Sequence, residues 1–300
     1  MKKYSHKKSV LCYGEMLYDI FPDGRLPGGA PMNVALHLYQ HQIPTHFVSR
    51  VGEDEEGASL LNYLNERGLS IQWIQKDEKH PSGKVYADVS KSEDVSYEIV
   101  YPSAWDFIET TDALRDAAKS SEIFLYGSLA ARGETSRATL LELLSLAKTK
   151  VFDVNLRKPF YDAELIRQLL EQADFVKLNE EELSLLAQWY LDKKASEVHE
   201  DDIFHLAEKF SLDTVCVTQG SKGASLLSDG ILHFQKGYQV TVADTVGSGD
   251  AFLGAFLSQM LHNKSPKECL QYGCAVGAYV AAQKGATPKV NTQIIKNYFK

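Results

Sequence analysis

The sequence predicts an α/β fold in which a mostly parallel central sheet lies between two layers of helices. Strand-like apolar runs alternate with helical patterns from about residue 111 to residue 218, and the connections between them are short. This alternation predicts parallel strands joined by right-handed crossovers. A strand hairpin at residues 84–101 interrupts the alternation, so we expect it to project from the main sheet. Sheets of this kind bind ligands beyond the carboxyl ends of their strands.

Length and composition bound the class of protein. The 300 residues are 44% hydrophobic and 24% charged, and we expect one domain across residues 1–300. The formal net charge of −8 argues against a nucleic acid or an anionic membrane as the main partner. No apolar run reaches the ~18 residues that cross a bilayer. Four cysteines without Cys-x-x-Cys spacing indicate reduced core residues of a cytoplasmic protein: Cys12, Cys216, Cys269 and Cys274.

The first third of the chain carries clear signals for individual elements. An apolar run at residues 9–13 predicts the first strand, and a second strand is expected at residues 46–51. A helix is expected to open after Gly28-Gly29, because Pro31 suits the first helical turn. The next helix is expected to begin after Asp54, which is a good cap, and to end at Gly68.

Residues 244–250 are the stretch that points most strongly to chemistry. A strand-like run at residues 238–242 precedes them, and a helical apolar pattern follows, so a helix is expected to begin within 247–249. A helix N-terminus offers unpaired N–H groups and a partial positive charge to an anion. Asp250 falls in the first turn, where a carboxylate can take a proton from a hydroxyl that attacks a bound phosphoryl group. The alternative is an acidic residue that only complements the helix dipole, and the stretch alone fits both.

The segment Asp244-Thr245-Val246-Gly247-Ser248-Gly249-Asp250 resembles the C-terminal signature of the PfkB, or ribokinase-like, family of carbohydrate kinases. Ser248 stands where the family usually has alanine. The resemblance implies a ribokinase-like three-layer α/β/α fold with a small β lid, formed here from about residues 14–27 and 84–106. It also implies that Asp250 is the catalytic base and that an anion hole is formed by Gly247, Ser248 and Gly249.

Other motifs of the same family point to a sugar site. In the family, an aspartate after an early strand and a Gly-Gly helix start hold the sugar hydroxyls. By position, the resemblance assigns this role to Asp19, Gly28, Gly29 and Asn33. The family motif Asp-x-Asn-x-Arg lies near the sugar and the phosphate, which adds Asn155 and Arg157. Trp105 can contact the sugar from the edge of the lid, or it can only pack the lid against the body.

The C-terminal half resembles the nucleotide and cation sites of the family. Lys177-Leu178-Asn179 and Glu182 match a motif that contacts nucleotide phosphates and positions Mg²⁺ through water. The loop that wraps the nucleotide in the family corresponds to Thr218, Gly220, Ser221 and Gly223. The closing loop, residues 284–288, is expected to enclose a monovalent cation, K⁺, together with the backbone of Asp244 and Val246. Cys274 stands where family members often have an asparagine near the adenine, so that contact is not transferred.

These observations predict an ATP-dependent sugar kinase that phosphorylates a primary hydroxyl, with ATP, Mg²⁺ and K⁺ as cofactors. The segments Gly28–Ala35 and Ala104–Asp106 are most similar to those of bacterial fructokinases, so fructose is the expected sugar. The alternatives are another sugar or keto-acid sugar (ribose, tagatose or 2-keto-3-deoxygluconate) and a sensor that binds without catalysis. Pairing of two lids in a homodimer is a further hypothesis.

A histidine pair offers a second, weaker site hypothesis. His37 and His41 lie four residues apart on the helix expected after Gly29, which is a spacing that can bind a metal. No third ligand is evident in the sequence, so we favour two histidines without a metal.

Overall fold

The computed structural model describes residues 8–22, 24–88, 96–194 and 199–299. Its strands are β1 (Val10–Tyr13), β2 (Leu17–Phe21), β3 (Gly24–Gly28), β4 (Thr45–Gly52), β5 (Ile74–Asp77), β6 (Gly83–Asp88), β7 (Ser96–Ile99), β8 (Ile123–Gly127), β9 (Lys150–Asp153), β10 (Phe175–Asn179), β11 (Thr214–Thr218), β12 (Gly223–Ser228) and β13 (Ile231–Lys236). Its α-helices are α1 (Ala30–Gln40), α2 (Glu55–Glu66), α3 (Asp112–Ser120), α4 (Glu134–Leu144), α5 (Ala163–Leu170), α6 (Glu180–Tyr190), α7 (Asp202–Phe210), α8 (Ser248–Leu261), α9 (Pro266–Ala281) and α10 (Thr292–Asn297).

The main sheet has nine strands in the order β13-β12-β11-β10-β9-β8-β1-β4-β5. The seven strands from β11 to β5 run parallel, and β12 and β13 form an antiparallel hairpin at one edge. The central strands β1 and β8 are buried along their whole length, which explains why they are continuous apolar runs in the sequence. The predicted α/β fold with a mostly parallel sheet is confirmed.

Helices cover both faces of this sheet, and alternate residues of each strand face opposite layers. Val10 and Cys12 belong to the core under α1, α2, α8 and α9, whereas Leu11 and Tyr13 belong to the core under α3 to α7. Apolar side chains alternate between the two faces of each strand, and both faces are buried. Helices therefore cover the sheet on both sides, which gives the three-layer α/β/α arrangement. All four cysteines are buried and unpaired, as expected.

A second sheet of four strands, in the order β3-β2-β6-β7, projects from the main one, and we call it the small sheet. The predicted hairpin forms part of it, because β6 and β7 pair antiparallel with Val85 opposite Ile99. The predicted turn at residues 91–94 lies outside the described residues. Within the described residues, the small sheet consists of 17–21, 24–28, 83–88 and 96–99. Residues 104–106, which we expected to belong to it, lie in a short 3₁₀ helix, Ala104–Phe107, that is mostly buried in the core.

Helix ends follow the predicted caps. The Asp54 side chain accepts a hydrogen bond from the Gly57 N–H at 2.7 Å, and Gly68, just after α2, has a positive φ of 79°.

The predicted strand at residues 238–242 is wrong. This segment lies between β13 and α8 in the chain and pairs with no described strand of either sheet. Among the described residues, no helix is both long and apolar enough to cross a membrane.

Candidate active site

One edge of the main sheet collects the polar residues that the motifs singled out. Strands β9, β10 and β11 run parallel and end at Asp153, Asn179 and Thr218. The carboxyl ends of parallel strands meet at one edge, so these three positions lie side by side. The N-termini of α1 and α8 reach the same edge, since Asn33 of α1 contacts Asp250 of α8.

The N-terminus of α8 has the form of an anion site. Gly247 is its cap residue, with a left-handed φ of 74°, and Ser248 and Gly249 form the first turn. The Ser248 N–H and side chain both bond the Thr245 carbonyl, at 3.2 and 2.9 Å, which folds the preceding loop tightly under the helix. The next N–H groups of the turn point along the helix axis towards an approaching anion.

Asp250 lies in this first turn and is the most central carboxylate of the site. Its Oδ2 accepts a hydrogen bond from Asn33 Nδ2 at 2.8 Å. Burial and the nearby charge of Asp153 raise the pKa of Asp250 to about 6, although Asn33, Lys177 and Arg157 act to lower it. A carboxylate with a pKa near 6 is ionised at neutral pH yet basic enough to accept a proton.

Asp19 and the two glycines before α1 lie close together. Gly28 lies opposite Leu17 in the β2–β3 pair, and a Cβ on Gly28 would overlap Oδ2 of Asp19, two residues further along β2. Gly29 has a φ of 117°, and a Cβ there would overlap the Glu15 carbonyl oxygen. Burial raises the pKa of Asp19 to about 6, with Arg157 lowering it and Asp250 raising it. The predicted sugar-binding residues are therefore brought together beside Asp250.

Arg157 supplies positive charge to this group of acids. The guanidinium is exposed and donates to the Leu156 carbonyl at 3.0 Å, and it lowers the pKa of three carboxyl groups: Glu15, Asp19 and Asp250. Asn155 precedes it with a left-handed φ of 38°, which marks a tight turn directly after β9. Both residues lie at the site, on its open side.

Lys177 pairs with Asp153 beneath the anion site. Its Nζ is 3.0 Å from Asp153 Oδ1, and the two side chains are only 9% and 4% exposed. Burial acts to lower the pKa of Lys177, but the carboxylates of Asp153, Glu182 and Asp250 outweigh it and the pKa is raised. A Cβ on Gly249 would lie 3.4 Å from the ammonium nitrogen. A permanent positive charge therefore lies directly behind the N-terminus of α8.

Asn179 and Glu182 form a capping box at the start of α6. Asn179 Oδ1 accepts from the Glu182 N–H at 2.8 Å, and Glu182 Oε2 accepts from the Asn179 N–H at 2.9 Å. Glu182 Oε1 also accepts from the Leu156 N–H at 2.8 Å. The buried Glu182 carboxylate thus holds the loop that carries Asn155 and Arg157, while Asn179 remains exposed.

A cleft for a nucleotide extends from the anion site. The four residues of the predicted nucleotide loop line it together with Ser248 and Gly249 of α8: Thr218, Gly220, Ser221 and Gly223. Lys177 and Asn179, the other predicted nucleotide residues, do not line it. The segment between β13 and α8 also lines the cleft, with Gly237–Val240 and Val242, as does the face of α9 that carries Cys274, Gly277 and Ala278. Burial raises the pKa of Cys274 to about 12, so this thiol presents a neutral, weakly polar group to the cleft.

The loops predicted to enclose a monovalent cation lie against each other. Asp244 Oδ1 accepts from the Val246 N–H at 2.9 Å, and Asp244 Oδ2 accepts from the Gly285 N–H at 3.2 Å. A Cβ on Gly247 would come within 2.6 Å of the Ala286 Cα, so the closing loop packs directly on the cap of α8. The two loops thus pack together beside the anion site.

Trp105 is not placed at the open site. Its side chain is 0% exposed, and the Arg132 guanidinium lies 3.8 Å from the centre of its ring. Arg132 forms a bidentate pair with Asp106, at 2.7 and 2.8 Å, and bonds the Val100 carbonyl at the end of the small sheet. The structure supports the packing role of Trp105, because Arg132 and the core surround it.

The two histidines of the pair contact different groups in the structure. No group of three or more His, Cys, Asp or Glu side chains within the described residues could hold a metal ion. His37 bonds the Ala286 carbonyl at 3.0 Å, and His41 packs on the ring of Tyr272. Burial lowers the pKa of both histidines to about 4, so both are neutral at physiological pH.

Glu15 is a site residue that sequence reasoning did not identify. It is almost fully buried, and burial raises its pKa to about 7, with Arg157 lowering and Asp250 raising it. The signal for it was an acidic residue inside an otherwise apolar run at residues 10–17. Three buried acceptor oxygens at the site have no hydrogen-bond donor among the described residues: Glu15 Oε2, Asn33 Oδ1 and Asp153 Oδ2. Such acceptors favour a ligand that brings several hydroxyl donors.

The fold and the site together define a phosphotransferase of the carbohydrate kinase class. Residues 7–293 match the pfkB family of carbohydrate kinases, so the chain belongs to that family. The Escherichia coli protein named fructokinase is 30% identical over 298 residues, which cover 92% of this chain and 94% of the relative. The Solanum lycopersicum protein named fructokinase-2 is 27% identical over 314 residues, which cover 94% and 93%.

Solved structures share the fold over the full chain. A fructokinase from Xylella fastidiosa with bound ATP has a TM-score of 0.84 at 22% identity, and the match covers 98% of this chain and 100% of that one. A double mutant of the Vibrio cholerae O395 fructokinase, with fructose, ADP and potassium ion bound, has a TM-score of 0.84 at 24% identity and covers 98% and 99%. The ribokinase-like architecture implied by residues 244–250 is confirmed.

Proposed function

We propose that the protein is an ATP-dependent fructokinase that transfers the γ-phosphoryl group of ATP to the primary 6-hydroxyl of fructose. The observation that carries this proposal is the position of Asp250. Its carboxylate lies in the first turn of the anion-binding helix and is bonded to Asn33 on the sugar side, and its pKa is about 6. A general base of this kind must contact both the phosphoryl site and the attacking hydroxyl.

The charges of the site favour a neutral polyol over an acidic sugar. Glu15, Asp19 and Asp250 lie close to one another, and Arg157 is the cation that offsets them. A keto-acid sugar would need a further cation for its carboxylate, and residues 84–106 contain no arginine. Arg132 lies at the end of the small sheet, but its side chain is 2% exposed and is neutralised by Asp106.

The choice of fructose within this class follows the relatives. The Escherichia coli and Solanum lycopersicum proteins carry the name fructokinase, and the Vibrio cholerae double mutant holds fructose with ADP. Ribose, tagatose and 2-keto-3-deoxygluconate are the alternative substrates. A sensor without catalysis is the alternative function, and the intact Asp250 and anion site argue against it.

In the proposed reaction, the sugar hydroxyl groups donate to the unpartnered oxygens of Glu15, Asn33 and Asp153, and Asp19 lies beside them between Gly28 and Gly29. ATP lies in the cleft with its γ-phosphoryl group over Gly247–Gly249. Asp250 accepts the proton of the primary hydroxyl as that oxygen attacks phosphorus in line with the leaving ADP. Lys177 beneath the helix and Arg157 above it stabilise the charge on the transferred group.

The donor sets also fit the two expected cations. Mg²⁺ keeps several water ligands and binds mainly to nucleotide phosphates, so it needs few protein groups. One amide and one carboxyl group near the cleft, those of Asn179 and Glu182, agree with this preference. When bound, Mg²⁺ shields the phosphate charge. A monovalent cation such as K⁺ fits the carbonyl groups of the loops at Asp244, Val246 and residues 284–288, which the Asp244 side chain ties together.

We further propose that the small sheet is a lid that closes over the sugar and excludes water. It carries two large exposed apolar side chains, Leu26 at 48% and Tyr86 at 45%. A second copy of the sheet would cover them in a homodimer of this chain, which we expect to work in the cytoplasm. A monodisperse monomer mass in solution would contradict the dimer.

A sugar panel tests the proposed function. We expect ATP-dependent phosphorylation of fructose to exceed that of ribose, tagatose, mannose, adenosine and 2-keto-3-deoxygluconate by at least about tenfold in kcat/KM, with Mg²⁺ and K⁺ present. Mass and NMR analysis of the product should locate the phosphate on the 6-hydroxyl. A different leading sugar would overturn the choice of fructose, and ATP binding without any turnover would support the sensor.

The pH profile tests the assignment of the base. Because Asp250 must be ionised to accept a proton and its pKa is about 6, we expect kcat/KM for the sugar to fall as the pH drops below about 6. Asp19 and Glu15 titrate in the same range and interact with Asp250. The fall in kcat/KM at low pH therefore reports the joint titration of all three carboxyl groups. The Asp19→Asn variant should keep an acid limb. A rate independent of pH from 5 to 8 would refute the assignment.

A further inference from the structure

His37 is a buried side chain that the proposed reaction does not use. It is 0% exposed and lies on α1, one turn after Asn33. Its Nε2 is 3.0 Å from the Ala286 carbonyl oxygen. The ring is neutral, since burial lowers its pKa to about 4, and a carbonyl only accepts hydrogen bonds. The hydrogen must therefore be on Nε2, which leaves Nδ1 as a buried acceptor without a hydrogen-bond partner in the described parts of the chain.

Ala286 connects this histidine to the anion site. A Cβ on Gly247 would come within 2.5 Å of the Ala286 Cβ and 2.6 Å of its Cα, so Ala286 packs against the backbone of Gly247. Gly247 is the cap of α8, and the N–H groups of the anion site follow it directly. The position of the Ala286 backbone therefore sets the position of the first turn of α8.

His37 also contacts the middle of the same helix. A Cβ on Gly254 would lie 2.7 Å from the Cβ of His37, so this approach of α1 to α8 requires glycine at position 254. Glycine is among the least favourable residues inside a helix, so its place at position 254 is explained by the contact with His37. One side chain thus touches both α8 and the loop that seats its cap.

We propose that His37 is a positioning residue for phosphoryl transfer. By holding Ala286, it fixes Gly247 and aims the N–H groups of α8 at the transferred phosphoryl group. Other hydrogen bonds hold the neighbouring residues of the closing loop but none of them reaches the Ala286 carbonyl: Asp244 bonds Gly285 at 3.2 Å, Tyr63 and Arg67 bond Thr287 at 2.7 Å each, and Gln40 bonds Pro288 and Val290. This inference rests on the proposed kinase reaction for the identity of the group that is positioned.

The test compares His37→Leu with His37→Gln, whose side-chain amide can still donate to the Ala286 carbonyl. We expect His37→Leu to lower kcat about tenfold, because small displacements of a catalytic group are costly, and to change KM for fructose less than twofold. His37→Gln should recover most of kcat. Binding of ADP with aluminium fluoride, Mg²⁺ and fructose should weaken in His37→Leu by a similar factor, while binding of ADP alone stays unchanged.

The matched control is Gln40→Leu, one turn later on the same helix. It removes the hydrogen bonds to Pro288 and Val290, so we expect a lower Tm with kcat within twofold of the wild type. Equal losses of kcat in the Gln40 and His37 variants would overturn the proposal, as would an unchanged His37→Leu. If His37→Leu does not fold, His37→Asn replaces it, because its shorter amide cannot reach Ala286. Equal rates for the Asn and Gln variants would then overturn the proposal.

Binding of ADP with aluminium fluoride distinguishes a failure of the positioning role of His37 from a failure of the proposed function. If the wild-type protein phosphorylates no sugar, the assignment as a fructokinase fails, yet binding of ADP with aluminium fluoride still reports on the anion site. A loss of that binding in His37→Leu would support the positioning role without turnover. Unchanged binding would contradict it, whatever the sugar panel shows.

Discussion

The Asp250→Asn variant is expected to lose at least about 10³-fold in kcat while it keeps its fold and binds both substrates. An amide can retain the hydrogen-bonded geometry with Asn33, but it cannot accept the proton of the attacking hydroxyl. The measurement is the initial rate at saturating ATP and fructose, together with the affinity for fructose by calorimetry. We expect that affinity to change less than about fivefold.

Asp19→Asn is the matched control for this variant. It also removes a carboxylate with a pKa of about 6 from the same group of acids, but Asp19 lies on the small sheet beside Gly28 rather than in α8. We expect it to raise KM for fructose more than it lowers kcat, because it removes a binding contact. If Asp250→Asn retained more than a tenth of the wild-type kcat, another group would have to be the base.

The Asp250→Asn variant should also be more stable than the wild type at neutral pH. The pKa of Asp250 is about 6 in the folded protein and 3.8 in an unfolded chain, so the folded state binds more protons between these values. Wild-type stability therefore falls as the pH rises from about 4 to about 6. At pH 8 we expect Asp250→Asn to gain about 1–3 kcal/mol, and the gain should vanish below about pH 4.

Much of the fold could be predicted because its signals are local. The apolar runs of β1 and β8 are continuous, since a parallel sheet buries both faces, and the caps at Asp54 and Gly68 lie next to the helices they end. The prediction of a strand at residues 238–242 was wrong because it rested on a local signal alone. This segment has the composition of a strand, but pairing is a tertiary property, and no strand among the described residues lies beside it.

The candidate site was predictable where a motif is contiguous. Residues 244–250 carry the anion site and Asp250 within one helix start, so their chemistry follows from local backbone geometry. Arg132 was not predictable, because its partners Asp106 and Val100 lie 26 and 32 residues away and no local pattern marks it. A sugar contact by Trp105 was one of two open interpretations because the Arg132 guanidinium, which covers the Trp105 ring, is distant in sequence.

His37 shows how a local pattern can suggest the wrong partner. Its spacing from His41 is that of a metal pair, and nothing near it in the sequence indicates a carbonyl of the closing loop 249 residues away. Gly254, which makes room for it, lies on a different helix. The contact becomes visible only when α1, α8 and the closing loop are packed together.

Lys177→Met is expected to have the second-largest effect. The ammonium is buried beside Gly249, and its loss removes a positive charge from behind the transferred phosphoryl group, which should lower kcat about 10²-fold. The same change leaves Asp153 buried without its partner, at a cost of about 3–5 kcal/mol in the free energy of unfolding. Activity and stability therefore fall together in the single variant, and denaturant unfolding and initial rates must be measured side by side.

The double variant Lys177→Met/Asp153→Asn separates these two effects. It holds no unpaired buried charge at this pair, so we expect most of the lost stability to return. The rate should not return, because neither methionine nor asparagine supplies a charge behind α8. Recovery of kcat to within a few-fold of the wild type would mean that Lys177 serves only to neutralise Asp153. A double variant that is no slower than Asp153→Asn alone would assign the effect to the carboxylate instead of the ammonium.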